Sequence, residues 1–287
     1  MIRLVRSFAS CAVLCLVLLL GFGVLGEDTP FDLIAQADLA YMTRHLEEDM
    51  IRALALYEAV LPSLEELSLS SQAYVLNRLS QLCYEAALFT EGETPEDGDL
   101  YRKGKGYAEQ SMRLNADFAA HEPDGFNAAL VYVTDVAALH WMANNWGMLC
   151  GMDPIRGLME QGSVLALFRR SVEIDPQFWG ASSASALGSL LIMLPGPMGG
   201  DDEAGLVLVE QSIVDAPAYL NNHIILAEYW GFTYNFLGAL TGVRDAELIE
   251  REVAIILEGE IGDWPFWNRQ AKISAGRLLE WLREQTD

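Results

Sequence analysis

The residues from Leu194 to Ala204 read LPGPMGGDDEA, a glycine-rich turn running into the start of a helix. A phosphate can sit at such a place, because a helix N-terminus presents free N–H groups and the positive end of its dipole. Here Asp201, Asp202 and Glu203 already stand at that end, no Lys or Arg lies between Arg170 and Arg244, and the GxxxxGK[ST] pattern is absent. Pro197, Gly199, Gly200 and Asp201 therefore read as a structural turn, with Asp201 as the N-cap of the helix that follows.

No other residues form a catalytic set. The histidines, His45, His121, His140 and His223, make no HExxH or other paired metal spacing, and the cysteines make no CxxC. A GxSxG nucleophile elbow is missing. The segment Glu93 to Gly104 has a glycine at a calcium-loop position. Pro95 takes one ligand place, however, and Gly104 stands where the closing glutamate belongs. The expectation is a chain with no catalytic residues, no metal and no cofactor.

The aromatic residues are more informative. All seven tryptophans, Trp141, Trp146, Trp179, Trp230, Trp264, Trp267 and Trp281, lie at or after residue 141. Trp141, Asn144, Asn145 and Trp146 set amides among indoles, and Glu228, Tyr229 and Trp230 set a carboxylate beside two rings. Apolar walls with a few polar groups are what small-molecule sites use. These seven residues are candidate ligand contacts; the alternative is that they lie on inner helices packed on both sides. An organic acid would need a positive group, and Arg156 and Arg244 are the nearest in sequence.

The elements that must position these residues are helices. Met50, Ile51, Leu54, Tyr57 and Leu61 fall on one helical face, as do Tyr107, Ala108, Ser111 and Met112. Val164, Leu165, Phe168 and Val172 repeat the spacing, and so do Ile249, Val253 and Ile256. No convincing strand is visible, so the expected class is all-α. SVEIDP (Ser171 to Pro176) and SIVDAP (Ser212 to Pro217) each close an amphipathic segment with an acidic residue and a proline, which stops a helix. SMRLNAD from Ser111 is a weaker copy. Helices are expected over 178–193, from near Asp201, over 219–236 and over 268–285. Glu91 to Asp99 reads as an acidic linker and Gly259 to Asp263 as a second break. Helix pairs recurring at this spacing resemble tetratricopeptide repeats, in an α-solenoid of degenerate pairs with extra helices at both ends.

The first 26 residues stand apart from residues 27–287, which read as one helical-repeat domain. Arg3 and Arg6 precede an apolar run from Phe8 to Leu20, and Val24-Leu25-Gly26 offers a cleavage site. This is the pattern of an export signal, with an uncleaved N-terminal anchor as the alternative. Cys11 and Cys15 lie inside the apolar run, which argues against lipidation. Without Arg3 and Arg6 the chain carries 16 Lys and Arg against 41 Asp and Glu. Such a surface repels polyanions and excludes nucleic acid as a partner. Cys83 and Cys150 read as buried free thiols, or as a bridge if the compartment is oxidising.

Two stretches carry a family resemblance. ALHWMANNWGMLCGM (Ala138 to Met152) is similar to the aromatic L-Y-W…G-x-W motif of the T component associated with TRAP transporters. PGPMGGDDEAGLVLVEQSI (Pro195 to Ile213) is similar to that family's P-x-x-x-G-G-D…E-x-A-I segment. The resemblance covers roughly Asp99 to Leu257. It implies an exported, periplasmic, non-enzymatic protein with tetratricopeptide-like repeats. The expected partner is the solute-binding protein of a tripartite ATP-independent periplasmic transporter. The resemblance also implies a homo-oligomer and a cleft or pore for an apolar or organic-acid solute. Carried over by motif, Trp141, Asn144 and Trp146 are the implied ligand contacts, while Pro197, Gly199, Gly200 and Asp201 carry the turn. Many relatives are lipoproteins; this chain lacks their lipobox. The competing reading is a general periplasmic or envelope scaffold for protein–protein interaction, with no small-molecule ligand.

Overall fold

Polar caps and prolines mark where the helices begin. Thr29 and Asp32 form a capping box ahead of Pro30, and Thr94 and Asp97 form a second ahead of Pro95. Asp135, Asp153, Asp201 and Asp245 each cap a helix through their carboxylates. The computed structural model describes residues 28–90, 94–235 and 238–286. The export-signal stretch lies outside them.

The helices are α1 (Pro30–Met42), α2 (Glu47–Val60), α3 (Leu69–Ala87), α4 (Pro95–Arg113), α5 (Val136–Met152), α6 (Pro154–Ile174), α7 (Phe178–Met193), α8 (Asp202–Asp215), α9 (Asn221–Ile225), α10 (Ala246–Glu258) and α11 (Trp267–Thr286), with short helical turns between α4 and α5. Consecutive helices pack as pairs: α1 with α2, α3 with α4, α5 with α6, α7 with α8, and α10 with α11; α4 also packs on α5, and α6 on α7. The two Asp/Ala-Pro stops end α6 and α8 as expected.

The all-helical expectation holds with one correction. Phe232–Tyr234 and Leu240–Val243 pair as an antiparallel hairpin, β1 and β2. The helix expected over 219–236 is accordingly broken: α9 runs into a π-turn, Leu226–Trp230, before β1. Gly231 follows the π-turn, and a Cβ there would lie 2.3 Å from the Ile249 side chain, so α10 packs directly on this backbone. The acidic linker is also shorter than expected, because Pro95 to Asp99 form the first turn of α4. On α2 the buried face is Met50, Ala53, Tyr57 and Val60, whereas Ile51 is exposed.

The core has a central part in which residues far apart in sequence meet. Tyr57, Leu79 and Leu82 pack there with Trp141, Tyr219, Phe266 and Trp267. The start of α11 thus returns to the helices at the beginning of the chain. Cys83 is buried, Cys150 half-buried, and both thiols are unpaired; burial pushes them up to about 12 and about 11.

Candidate functional site

Asp135 fixes the start of α5 and its neighbours together. Its Oδ1 caps Ala137 and Ala138, while Oδ2 accepts from Asn77 Nδ2 of α3 at 2.7 Å and from Ser111 Oγ of α4 at 3.3 Å. One turn on, Trp141 projects into an aromatic cluster. Its ring lies 5.3 Å from Trp179, 6.4 Å from Trp267 and 6.2 Å from Tyr84; Trp264 joins Trp179 at 5.4 Å and Tyr219 at 4.7 Å. Edge-on and offset contacts at these separations are favourable.

Trp179 reaches this cluster through an unusual backbone. Trp179, Gly180 and Ala181 have φ of 53°, 66° and 58°, left-handed conformations at the very start of α7. Only glycine adopts this region freely, so Trp179 and Ala181 carry strain, which cost of order 1–3 kcal/mol each supports only where the surroundings hold it. Asn222 supplies that hold, donating from Nδ2 to Gly180 O at 2.9 Å and to Ser212 O at 3.0 Å. Gly180 itself is required by contact, since a Cβ there would lie 2.8 Å from the Tyr219 ring.

Beside Trp141 and Trp179 opens a pocket of about 210 Å³. Tyr74, Asn77, Arg78 and Gln81 of α3 form one wall; Ala137 and Trp141 of α5, with Phe178 and Trp179 of α7, form the other. The Arg78 guanidinium stacks over Tyr41 at 3.9 Å and donates to Gln81 Oε1 at 2.9 Å. Three polar atoms of the pocket's residues are buried without a hydrogen-bond partner among the described residues: Asn77 Oδ1, Arg78 Nε and Trp179 Nε1. Leaving such groups unmatched costs about 1–3 kcal/mol each, so two donors and an acceptor, on residues that also line the pocket, stay unmet behind its aromatic walls.

Of the residues singled out in sequence, Trp141 lines this pocket and the others lie elsewhere. Asn144 folds back on its own helix, donating to His140 O at 2.8 Å and toward His140 Nε2 at 3.1 Å. Asn145 is fully buried and donates to Trp141 O and Ser80 O. Trp146 points away from Trp141; its indole donates to Glu160 at 2.6 Å and Lys105 sits 4.1 Å over its ring. Glu228, Tyr229 and Trp230 form the π-turn. Burial pushes the Glu228 carboxyl up to about 7 against the opposing charge of Arg277. Tyr229 faces Tyr234, and Arg244 lies 4.5 Å over Trp230. Arg156 is engaged by Glu160 at 2.7 Å. The turn closes on itself, with Gly200 N donating to Pro195 O and Asp201 N to Leu191 O, while Asp201 caps Ala204. A Cβ on Gly200 would fall 1.6 Å from Leu194 O, so the glycine is dictated by the turn.

The polar wall of the pocket escaped sequence reading. A signal was present: Arg78 is the only Lys or Arg between Arg52 and Arg102. Among the described residues no group of three His, Cys, Asp or Glu side chains has metal-binding geometry, and no helix is long and apolar enough to cross a membrane.

Fold and site together define a protein of paired helices with a small aromatic pocket. The chain is more specifically placed by its middle. Residues 97–231, a little under half of the chain, match the family model of TAtT, the TRAP transporter T-component, and the match supports an accessory component of a TRAP transporter. No curated protein matches the chain. The matched region contains Trp141, Phe178 and Trp179, while the α3 wall of the pocket lies ahead of it.

Proposed function

We propose that this chain is an exported, periplasmic, non-enzymatic accessory protein of a TRAP-type uptake system. Its helix pairs act as degenerate tetratricopeptide-like units that engage the solute-binding protein, and homo-oligomers of it hold a small solute in the Trp141–Trp179 pocket. The observation that carries this reading is the trio of unmatched polar atoms on Asn77, Arg78 and Trp179 between aromatic walls. A cavity of about 210 Å³ is below the usual 300–1,000 Å³ range for ligand sites, so the solute is small. The aromatic walls and the Arg78 guanidinium suit a carboxylate or carbonyl oxygen on an apolar body.

The test is tryptophan fluorescence of the full chain titrated with small aromatic and aliphatic acids and amides. A filled pocket shifts the emission, and Arg78→Ala removes the shift or weakens binding about tenfold, the loss of one charge-assisted hydrogen bond. Co-purification at native expression should enrich a solute-binding protein. Capture of that partner with no solute response would leave the scaffold function and overturn the solute reading; failure of both would overturn the whole proposal.

A further inference from the structure

Local sequence and tertiary contacts disagree at the start of α7. Asp175 Oδ1 accepts from Gln177 N at 3.0 Å, and Pro176 follows Asp175. A cap with a first-turn proline starts a right-handed helix. Left to that chemistry, a helix would begin at Pro176 and run unbroken into α7. Trp179, Gly180 and Ala181 instead have φ and ψ of 53° and 49°, 66° and 38°, and 58° and 21°, a left-handed turn that residues with a Cβ enter only at a cost.

The left-handed form is held from outside the segment. Asn222 of α9 is fully buried and donates from Nδ2 to both Gly180 O and Ser212 O, which ties the turn to the end of α8. In a continuous helix Gly180 O would point along the axis toward Ala184 N, away from Asn222. Trp179 gains edge contacts with Trp141 at 5.3 Å and Trp264 at 5.4 Å. Tyr219 packs on the bare face of Gly180, where a Cβ would lie 2.8 Å from its ring. Against these contacts stand the strained backbone and the polar atoms Trp179 Nε1, Ser185 Oγ and Asn222 Oδ1, each buried without a hydrogen-bond partner among the described residues. The opposing terms meet at a segment that walls the pocket, and strained segments of this kind cluster at ligand clamps and switches.

We propose that Asn222 is the positioning residue of the aromatic pocket and that residues 179–181 are a two-state latch. In the left-handed form, held by Asn222, Trp179 completes the wall beside Trp141. In the right-handed form the segment joins α7, Trp179 leaves that wall and the pocket opens. The part the latch plays in solute capture rests on the reading of this pocket as the solute site; the two backbone states do not.

The experiment reads the far-ultraviolet exciton couplet of the full chain. Its difference from Trp179→Phe reports Trp179 against the neighbouring indoles, with no ligand present. Asn222→Asp keeps the size of the side chain and removes its donor; it should lose that couplet in a chain that stays folded by its helix signal. Adding Ala181→Gly, which favours the left-handed form by on the order of tenfold, should restore much of the couplet, a rescue that a packing role alone would not give. Should Asn222→Asp not fold, Gly180→Ala reads the same equilibrium, because its Cβ meets Tyr219 in the left-handed form, and it should lose the couplet too. Benzoate, titrated by tryptophan emission, should bind Asn222→Asp about tenfold more weakly than the wild type, with affinity recovered by Ala181→Gly. A couplet that survives Asn222→Asp, or that Ala181→Gly does not restore, overturns the latch whatever benzoate does. A wild type without a benzoate response, in which the couplet behaves as expected, supports the latch and counts against the solute reading. Unchanged benzoate affinity in a variant that has lost the couplet overturns the role of the latch in the pocket.

Discussion

Glu228 shows how a single buried acid writes itself into the stability of the chain. Burial raises its carboxyl from an ordinary 4.5 to about 7, against the pull of Arg277. Between those values the folded chain keeps a proton that the unfolded chain releases, so stability falls as pH rises through the window and levels off above pH 7. Glu228→Gln removes the charge and hence the penalty. The variant should match the wild type near pH 4.5, exceed it increasingly up to about pH 7 and by a constant margin above, at most a few kcal/mol, as read from denaturant unfolding at each pH. A constant offset across that range would show that Glu228 does not titrate this way. His140 has the opposite sign. Burial pushes it down to about 3 from 6.5, so its penalty grows as pH falls below 6.5. Its neighbours fit a neutral ring: Asn144 donates to Nε2, leaving Nδ1–H for Ser183 Oγ at 2.8 Å. Because wild type and variant share His140, the difference between them isolates Glu228.

At the scale of elements, α7 and α8 approach backbone to backbone. A Cβ on Gly188 would lie 2.6 Å from Gly205 O, and one on Gly205 would lie 2.6 Å from Gly188 O. Gly188→Ala should therefore destabilise the chain by about 1–3 kcal/mol despite alanine's better helix propensity. Gly196→Ala, where a Cβ meets nothing within 4 Å, should be close to neutral; urea midpoints compare them directly, and equal midpoints would refute the close crossing. The helix start at Asp201 and the proline stops after Asp175 and Ala216 were readable in the sequence. The hairpin was not, because Phe232–Tyr234 and Leu240–Val243 are too short to show alternation and follow an apolar run without a polar break. Periodicity also says which face is buried but not against what. It set Trp141 beside Trp146 as neighbours in sequence, whereas five residues of helix turn them to different faces. It gave no means of joining Trp141 to Arg78, which comes from another helix altogether.

The whole molecule depends on its two ends meeting. Glu85, fully buried on α3, accepts from Arg44 Nε at 2.6 Å and Nη2 at 3.2 Å, from Gln81 Nε2 at 2.8 Å and from Trp267 Nε1 at 2.8 Å. One carboxylate thus ties the turn after α1, α3 and the first residue of α11, across 182 residues of sequence. The aromatic pocket uses this junction, since Gln81 lines it, and Phe266 lies beside the Arg44 guanidinium at 5.7 Å. Removing one partner strands a buried charge, so Glu85→Gln should destabilise by about 3–5 kcal/mol. Replacing both, in Arg44→Met with Glu85→Met, removes the charge together with its counter-charge and should recover much of that loss, since a packed apolar pair often matches a buried ion pair. The expected result of the double-mutant cycle is strong non-additivity, read by denaturant unfolding followed through tryptophan emission. If the double variant instead loses the sum of the single losses, Arg44 and Glu85 act separately. The closure of the chain would then rest on the apolar contacts of Phe266 and Trp267, and Trp267→Leu would be the substitution that separates the ends.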